Sequence, residues 1–230
     1  RQGGNAPFIL FYDANLDAAV DGALLSKFPN NGQIVIEPIE SSVDGIYDTF
    51  AEKRAENVVD LSVDNGAGAG VVFGPLINAA GVSKATSHIA DTTAKAAAVT
   101  LAGKPHCLGG MFYEPKILTG VTPDMAIATE EHLVPLLLFK FNILGKVIAA
   151  ADDTEFGLAP YFYSRDIARI WRVSAALEYG MVSVNAGHVS TAEALFRGVK
   201  PSGLEREGAH QCLDDFMQVQ YNCMGRIEDA

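Results

Sequence analysis

The 230-residue sequence is short of the residues that most directly carry chemistry. It has three cysteines, Cys107, Cys212 and Cys223, and none before position 107. No two stand at C-x-x-C spacing, so neither a zinc ribbon nor a disulfide framework is encoded. This cysteine usage is read as a reducing, intracellular setting, cytoplasmic or mitochondrial. The five histidines, His88, His106, His132, His188 and His210, show no metal-ligand spacing and read as packing or surface residues. There is no G-x-S-x-G elbow and no phosphate-binding P-loop. The one glycine cluster, Gly66 to Gly70, lacks G-x-G-x-x-G spacing, and an apolar run follows it instead of a helix, so it reads as a turn. Basic residues are outnumbered 17 to 28, and the net charge of -11 repels nucleic-acid phosphates and anionic lipid. The most apolar run, Leu133 to Phe139, is too short to span a bilayer, and no signal-peptide pattern is present.

What the chain does have is a core. It is 49% hydrophobic and 20% charged, and long enough to bury a substantial interior. "PFILFY" (Pro7 to Tyr12) has the character of a buried strand. Asn15 then stands as an N-cap before Leu16, Val20, Ala23, Leu24 and Phe28 at helical spacing. Two more helices are expected in "DGIYDTFAEKRAENVV" and "INAAGVSKATSHIADTTAKAA". Strands are expected at Val99 to Ala102, Met111 to Tyr113, Leu133 to Phe141, Pro160 to Ser164 and Met181 to Asn185, with helices near Lys146 to Asp153 and Asp166 to Tyr179. Strands alternating with helices predict an α/β fold with a mainly parallel sheet flanked by helices. The end differs: Phe216 to Gly225 is extended and alternating, with no helix after it. It reads as an edge strand or an arm pairing with another chain. The expected division is a domain over 1–213 and an arm over 214–230.

One stretch raises a question of its own. "GQIVIEPIE" (Gly32 to Glu40) follows Asn30-Asn31 and has the turn-then-strand form in which α/β enzymes hold a nucleophile. No Cys, Ser, Thr, Lys or His lies in it. Its apolar run fits a core strand, and Pro38 indicates an edge or a break. The carboxylate pairs Glu37 with Glu40 and Glu130 with Glu131 would ordinarily be solvated. From composition and pattern alone the reading ends at a soluble, intracellular α/β domain.

The order of longer motifs goes further. "GGNAPFILFYDANLDAAVDGALLSKF", "FGPLIN" (Phe73 to Asn78), "FYEPKIL" (Phe112 to Leu118), "DTEFGLAPYFYSRD" (Asp153 to Asp166), "GMVSVNAG" (Gly180 to Gly187) and "GVKPSGLEREG" (Gly198 to Gly208) run in one sequence. Taken together, they resemble the catalytic-domain half of aldehyde dehydrogenases. The subgroup resembled is that of succinate-semialdehyde dehydrogenases, through "YFYSRD", "RIWRVSAALEYGMVSVN" and "QYNCMG". The family's N-terminal NAD(P)-binding domain has no counterpart here. The resemblance implies a cysteine thiolate that attacks the aldehyde carbon, hydride transfer to NAD or NADP, and a glutamate that activates water. It also implies an oxyanion asparagine, which belongs to the half without a counterpart.

Against that pattern the chain departs at the chemistry. The nucleophile belongs to G-Q-T-C, and its position falls near Ile34, in a stretch one residue shorter than usual. The general-base glutamate belongs to E-L-G-G, where Arg1 stands. An arginine suited to a substrate carboxylate is replaced by Pro29. In "EEHLVP", Glu131 keeps the carboxylate that the resemblance places on the nicotinamide ribose, while Leu133 replaces a cofactor-packing phenylalanine. Ser190 and Phe196 match substrate-binding positions, and Arg197 replaces a glycine. Read so, Glu131, Leu133, Ser190 and Phe196 are vestigial, and no catalytic residue, metal or cofactor is expected. The function expected is that of an inactive aldehyde-dehydrogenase-like domain with a structural or interaction role. It would bind protein partners, as a homo- or hetero-oligomer, through Phe216 to Gly225, without nucleic acid or membrane insertion. The alternative is an NAD(P)-dependent succinate-semialdehyde dehydrogenase represented by a partial or altered chain. A weaker third reading is a new hydrolytic site on Glu37 or Glu40.

Overall fold

A computed structural model describes residues 6–34, 38–43, 45–95, 97–101, 104–122, 124–130, 135–141 and 144–225. Its first strand, β1 (Ala6–Leu10), is buried at all five positions. Such a strand is covered on both faces and needs a continuous apolar run rather than an alternating one. The alternation survives in where the side chains go. Phe8 and Leu10 enter one core with Phe50, Phe73, Tyr161 and Tyr163. Ile9 enters a second core with Phe11, Val147, Phe162, Val173 and Leu177. One sheet therefore separates two cores, each roofed by helices.

The helices follow from the caps and periodicity of the chain. α1 (Leu16–Lys27) starts at Asn15, whose side chain accepts from the Ala18 N–H. α2 (Tyr47–Val59) and α3 (Ala79–Ala94) come next, the latter capped by Asn78 on the Gly81 N–H. α4 (Ala126–Thr129) is one short turn, and α5 (Leu144–Asp152) and α6 (Ile167–Ala176) complete the set. Asp166 caps α6 through the N–H groups of Ala168 and Arg169.

The remaining strands are β2 (Pro38–Val43), β3 (Ala98–Leu101), β4 (Lys116–Thr119), β5 (Pro135–Phe141), β6 (Tyr161–Tyr163) and β7 (Ser183–Val184). They form one sheet in the order β3-β4-β5-β2-β1-β6-β7. Every pairing is parallel except β3 with β4. A two-stranded ribbon of β8 (Phe196–Arg197) and β9 (Arg206–Glu207) lies apart. No helix among the described residues is long and apolar enough to cross a membrane.

Three expectations need correction. Pro38 does not mark an edge: β2 lies in the middle of the sheet, between β1 and β5. Proline is accommodated there as the first residue of the strand, opposite Ala6. Met111 to Tyr113 is not a strand; Tyr113 makes one isolated bridge to Pro105, and the strand comes later, at Lys116–Thr119. Phe216 ends a 3-10 turn (His210–Phe216) rather than starting an extended arm. Residues 217–225 then run without helix or strand, with Val219, Tyr221 and Met224 exposed.

The carboxyl ends of β1 and β6 are tied by one carboxylate. Asp13 accepts from the Ser164 hydroxyl, from the N–H groups of Arg165 and Asp166, and from the Arg169 guanidinium. Arg169 also donates to the Tyr12 hydroxyl at 2.8 Å and stacks over the rings of Phe11 and Tyr12. Burial works against the charge on Asp13. The Arg165 N–H, the Ser164 hydroxyl, the Asp166 N–H and the Arg169 charge together outweigh it and hold the carboxyl below its ordinary range. A depressed carboxylate stabilises the fold fully above its unfolded value, about 4, and loses that contribution as pH falls through the lower folded value. Asp13→Asn should therefore cost about 2 kcal/mol at pH 7, within the range of charged hydrogen bonds. In denaturant unfolding the gap to wild type should narrow as pH falls to about 3; a gap that stays constant with pH would contradict this role.

Candidate active site

α1 delivers the chain into the turn singled out by sequence. Its last helical N–H bond runs from Phe28 to the Leu24 carbonyl, and Pro29–Gly32 follows as a 3-10 turn. Asn30, Asn31 and Gly32 all take left-handed backbone angles, with φ of 49°, 60° and 73°. Asparagine and glycine are the residues that tolerate this region, so Asn-Asn-Gly is what such a turn requires. The turn is closed internally by the Gln33 N–H and Nε2, both on the Asn30 carbonyl, and by Asn30 Nδ2 on the Gln33 carbonyl.

It is also strapped to a distant loop. Asn31, 9% exposed, accepts from the Gly74 N–H at 2.7 Å and donates to the Pro75 carbonyl at 2.9 Å. Gln33 Oε1 accepts from the Ile77 N–H at 3.0 Å. Part of "FGPLIN" is thus a clasp on the turn. The chain leaves it at Ile34, which is half-buried. The side chain that follows the turn is aliphatic.

Ser190 is exposed, on the loop after β7. The base of that loop is pinned by Asn185, at φ 54°, whose amide accepts from the Ser164 N–H and donates to the Ser164 carbonyl. Its middle lies on α1 through two glycines: a Cβ at Gly187 would stand 2.3 Å from the Gly22 carbonyl oxygen. Val189 packs into the first core. α1 therefore carries both features, the Ser190 loop on its middle and the turn at its end. Phe196 is half-buried on β8, opposite Glu207. Next to it, Arg197 has a buried Nε with no hydrogen-bond partner. No hydrogen bond joins Ile34, Ser190 or Phe196 to one another among the described residues.

Arg1, Glu131 and Leu133 lie outside the described residues. Glu130, directly before Glu131, is described. Its Oε2 lies 3.0 Å from His88 Nε2 and 3.9 Å from Lys84 Nζ. The His88 hydrogen bond and charge, aided by Lys84, keep the Glu130 carboxyl below its usual range. From sequence, Asn31 and Gln33 show only as part of a turn, and His88 only as a packing or surface residue. Asn-Asn-Gly is a turn signal, but the partners of Asn31 and Gln33 lie 43 and 44 residues away, where no local pattern shows them.

The α/β fold thus sets the clasped turn and the Ser190 loop on α1 and the Glu130 segment against α3. Residues 1–222 match the model of the aldehyde dehydrogenase family. The chain belongs to that family. It is 50% identical over 227 residues to glutarate-semialdehyde dehydrogenase of Pseudomonas aeruginosa, covering 98% of this chain and 47% of that protein. It is 48% identical over 225 residues to succinate-semialdehyde dehydrogenase [NADP(+)] GabD of Escherichia coli, covering 97% and 47%. Among solved structures, succinate-semialdehyde dehydrogenase from Burkholderia pseudomallei superposes with a TM-score of 0.91 at 52% identity, covering 93% of this chain and 45% of that one. The chain spans about half the length of the curated relatives it matches.

Proposed function

We propose that the protein is an NAD(P)-dependent dehydrogenase of short aldehydes bearing a distal carboxylate, and that this chain is its catalytic-domain half. On this reading the run from Ile34 to Ser42 is an altered form of the active protein's nucleophile segment. The observation that carries the reading is the turn. Three consecutive left-handed residues, clasped by the 74–77 backbone, are a costly geometry for a plain connection. A turn clasped in this way suits the fixed presentation that covalent catalysis requires of a nucleophile following it. The relatives named above, semialdehyde dehydrogenases at 48–50% identity, supply the substrate class.

NAD(P)+ supplies the hydride acceptor when bound. Adjacent carboxylates at Glu130 and Glu131 suit ribose hydroxyls, which donate, and would repel the pyrophosphate. The residues of this chain would therefore meet the dinucleotide at a sugar, with the phosphates held elsewhere. Ser190 would hydrogen-bond the substrate and Phe196 would wall its path. The reading of an inactive scaffold keeps one observation in its favour: no cysteine precedes Cys107. The exposed 217–225 segment, with Val219, Tyr221 and Met224, is proposed to pair with a second copy.

The test uses the full-length protein purified from its native source. Succinic or glutaric semialdehyde should give NAD(P)H at a kcat/KM at least about tenfold above that for the unsubstituted aldehyde of equal length, the carboxylate being paired by a cation at a position other than Pro29 and that pairing being worth on the order of 1.4 kcal/mol. Light scattering on the same sample should show a dimer or larger. Equal use of both aldehydes would remove the substrate assignment, and a monomer would remove the arm's role.

A further inference from the structure

The ribbon that follows the Ser190 loop sets two positive charges against each other. β8 and β9 pair antiparallel, with Phe196 opposite Glu207 and Arg197 opposite Arg206. Directly opposed residues of such a pair carry their side chains on one face, about 5 Å apart at Cβ, and like charges placed so are destabilising. Alternation along β9 sends Glu207 to the other face, with Phe196. Among the described residues neither arginine forms an ion pair. Two acids close by in the chain are engaged elsewhere: Glu178 pairs with Lys200 at 3.0 Å, and Glu193 accepts from the Thr191 hydroxyl. A chain of net charge -11 has acids to spare, yet no described one is paired with either arginine.

The two arginines differ in exposure. Arg206 is exposed; Arg197 is half-buried, and its Nε is buried without a hydrogen-bond partner. A buried N–H of a charged group is costly without an acceptor, and none of the described residues supplies one. The mount is rigid. A Cβ at Gly180 would stand 2.2 Å from the Arg197 carbonyl oxygen, so the two backbones are in contact. Two residues on, the Val199 N–H donates to the Gly157 carbonyl at 2.9 Å, and the Gly157 N–H donates to Ser202 Oγ at 2.9 Å. Beyond β9, the Ala209 N–H donates to the Ala192 carbonyl at 3.1 Å and ties the ribbon to the Ser190 loop.

We infer that Arg197 and Arg206 form a binding site for a carboxylate, which enters between the two guanidinium groups and accepts from the buried Nε. A guanidinium presents parallel N–H bonds that match the two oxygens of a carboxylate, and a negative charge between two positive ones offsets their repulsion. The bound group joins the two strands and steadies the loop that bears Ser190. Two sources share this chemistry, a free carboxylate and the distal end of a semialdehyde. The site stands whether or not the protein is a dehydrogenase, since every contact named belongs to the ribbon and its supports.

The experiment is a calorimetric titration of the full-length protein with glutarate at constant ionic strength. Wild type should bind with a Kd on the order of 1 mM. Arg197→Gln and Arg206→Gln should each raise that Kd about tenfold, the scale of one charge-assisted hydrogen bond. Arg197→Lys keeps the charge and loses the fork, and should raise it about fivefold. Arg172→Gln removes an exposed charge from α6 and should leave it unchanged. Arg206 is exposed, so its variant decides the matter should Arg197→Gln fail to fold. Without glutarate, Arg206→Gln should unfold at the wild-type temperature or above, because it ends the repulsion. A lower temperature would show a native partner in the place assigned to the ligand and overturn the inference. So would a wild-type Kd above about 100 mM, or equal weakening in R197Q, R206Q and R172Q. Kinetics separate the sources. If the substrate's own carboxylate fills the site, glutarate competes with succinic semialdehyde, and R197Q lowers kcat/KM for the semialdehyde but not for the unsubstituted aldehyde. If a free carboxylate fills it, glutarate leaves KM unchanged. A wild type that binds glutarate and turns over neither aldehyde would remove the dehydrogenase reading and keep the site.

Discussion

A full-length protein carrying the altered Ile34-Val35 form should, given threonine and cysteine at those two positions, gain at least about 10⁴-fold in the first turnover of a semialdehyde, since removing a covalent nucleophile typically costs on the order of 10⁶. The gain is expected because the Asn30-Asn31-Gly32 turn and its clasp on Gly74, Pro75 and Ile77 already exist. Only the reactive atom is missing from the end of it. With Arg1 left at the general-base position, the gain should take the form of a burst of no more than one NAD(P)H per chain. Acylation of the thiol needs no carboxylate, whereas activating water to release the acid does. Adding Arg1→Glu should convert the burst into steady turnover. Rapid mixing with NADP+ and succinic semialdehyde reads both. A folded I34T/V35C protein with an alkylatable thiol and no burst would show that the turn no longer presents its residue to the substrate.

The second large effect is on stability. Gly187→Ala should cost about 3 kcal/mol or more, at the upper end of overpacking and in the tail of single substitutions. The added Cβ would stand 2.3 Å from the Gly22 carbonyl oxygen and 2.5 Å from the Gly22 Cα. Both are backbone atoms of α1 and cannot swing away as a side chain can. Relief would come only by lifting the Ser190 loop off the helix, so the same variant should lose substrate affinity wherever it remains folded. Gly66→Ala is the control. Nothing lies within 4 Å of a Cβ there, and its change should fall within about 0.5 kcal/mol. Denaturant unfolding of the two variants side by side would expose an error: similar small losses would mean that the loop and α1 do not touch in solution.

These two sites mark where the sequence was readable and where it was not. β1 was legible because a strand buried on both faces needs an unbroken apolar run, and "PFILFY" is one. α1 was legible because Asn15 announces it and the apolar spacing continues it. β4 was missed because its first residue is Lys116, which is 6% exposed, whereas Met111 to Tyr113 looked more like a strand. Lysine reads as surface until the tertiary structure shows the chain passing through the interior, and there burial pushes its pKa down. Gly22 illustrates the opposite case. Inside a helix, glycine reads only as a cost, and the reason for it is the Tyr163 ring and hydroxyl, which a Cβ there would strike, with the Gly187 N–H close behind at 3.3 Å.

The candidate site divided in the same way. The turn was visible from Asn-Asn-Gly-Gln, since those residues state their own backbone geometry. The clasp that makes it rigid was invisible, because side-chain amides bonding a remote backbone leave no local signature. His88 read as a packing residue, and it is buried; its hydrogen bond to Glu130 crosses 42 residues. Glu131 and Leu133 were assigned through resemblance alone and lie outside the described residues, so the approach through Glu130 is the part of that assignment with a geometry.

The most direct test of the account is made on the protein from its native source. Trypsin releases residues 28–53 as one peptide, because no lysine or arginine lies between Lys27 and Lys53. The protein is assayed for NAD(P)H formation with succinic and glutaric semialdehydes, then alkylated with iodoacetamide, digested and sequenced by mass spectrometry. The account predicts turnover, loss of turnover on alkylation, and a carbamidomethylated cysteine shortly after Gln33. A peptide that reads Gln33-Ile34-Val35-Ile36, from a folded protein that forms no NAD(P)H, would contradict it and leave the inactive scaffold as the correct reading.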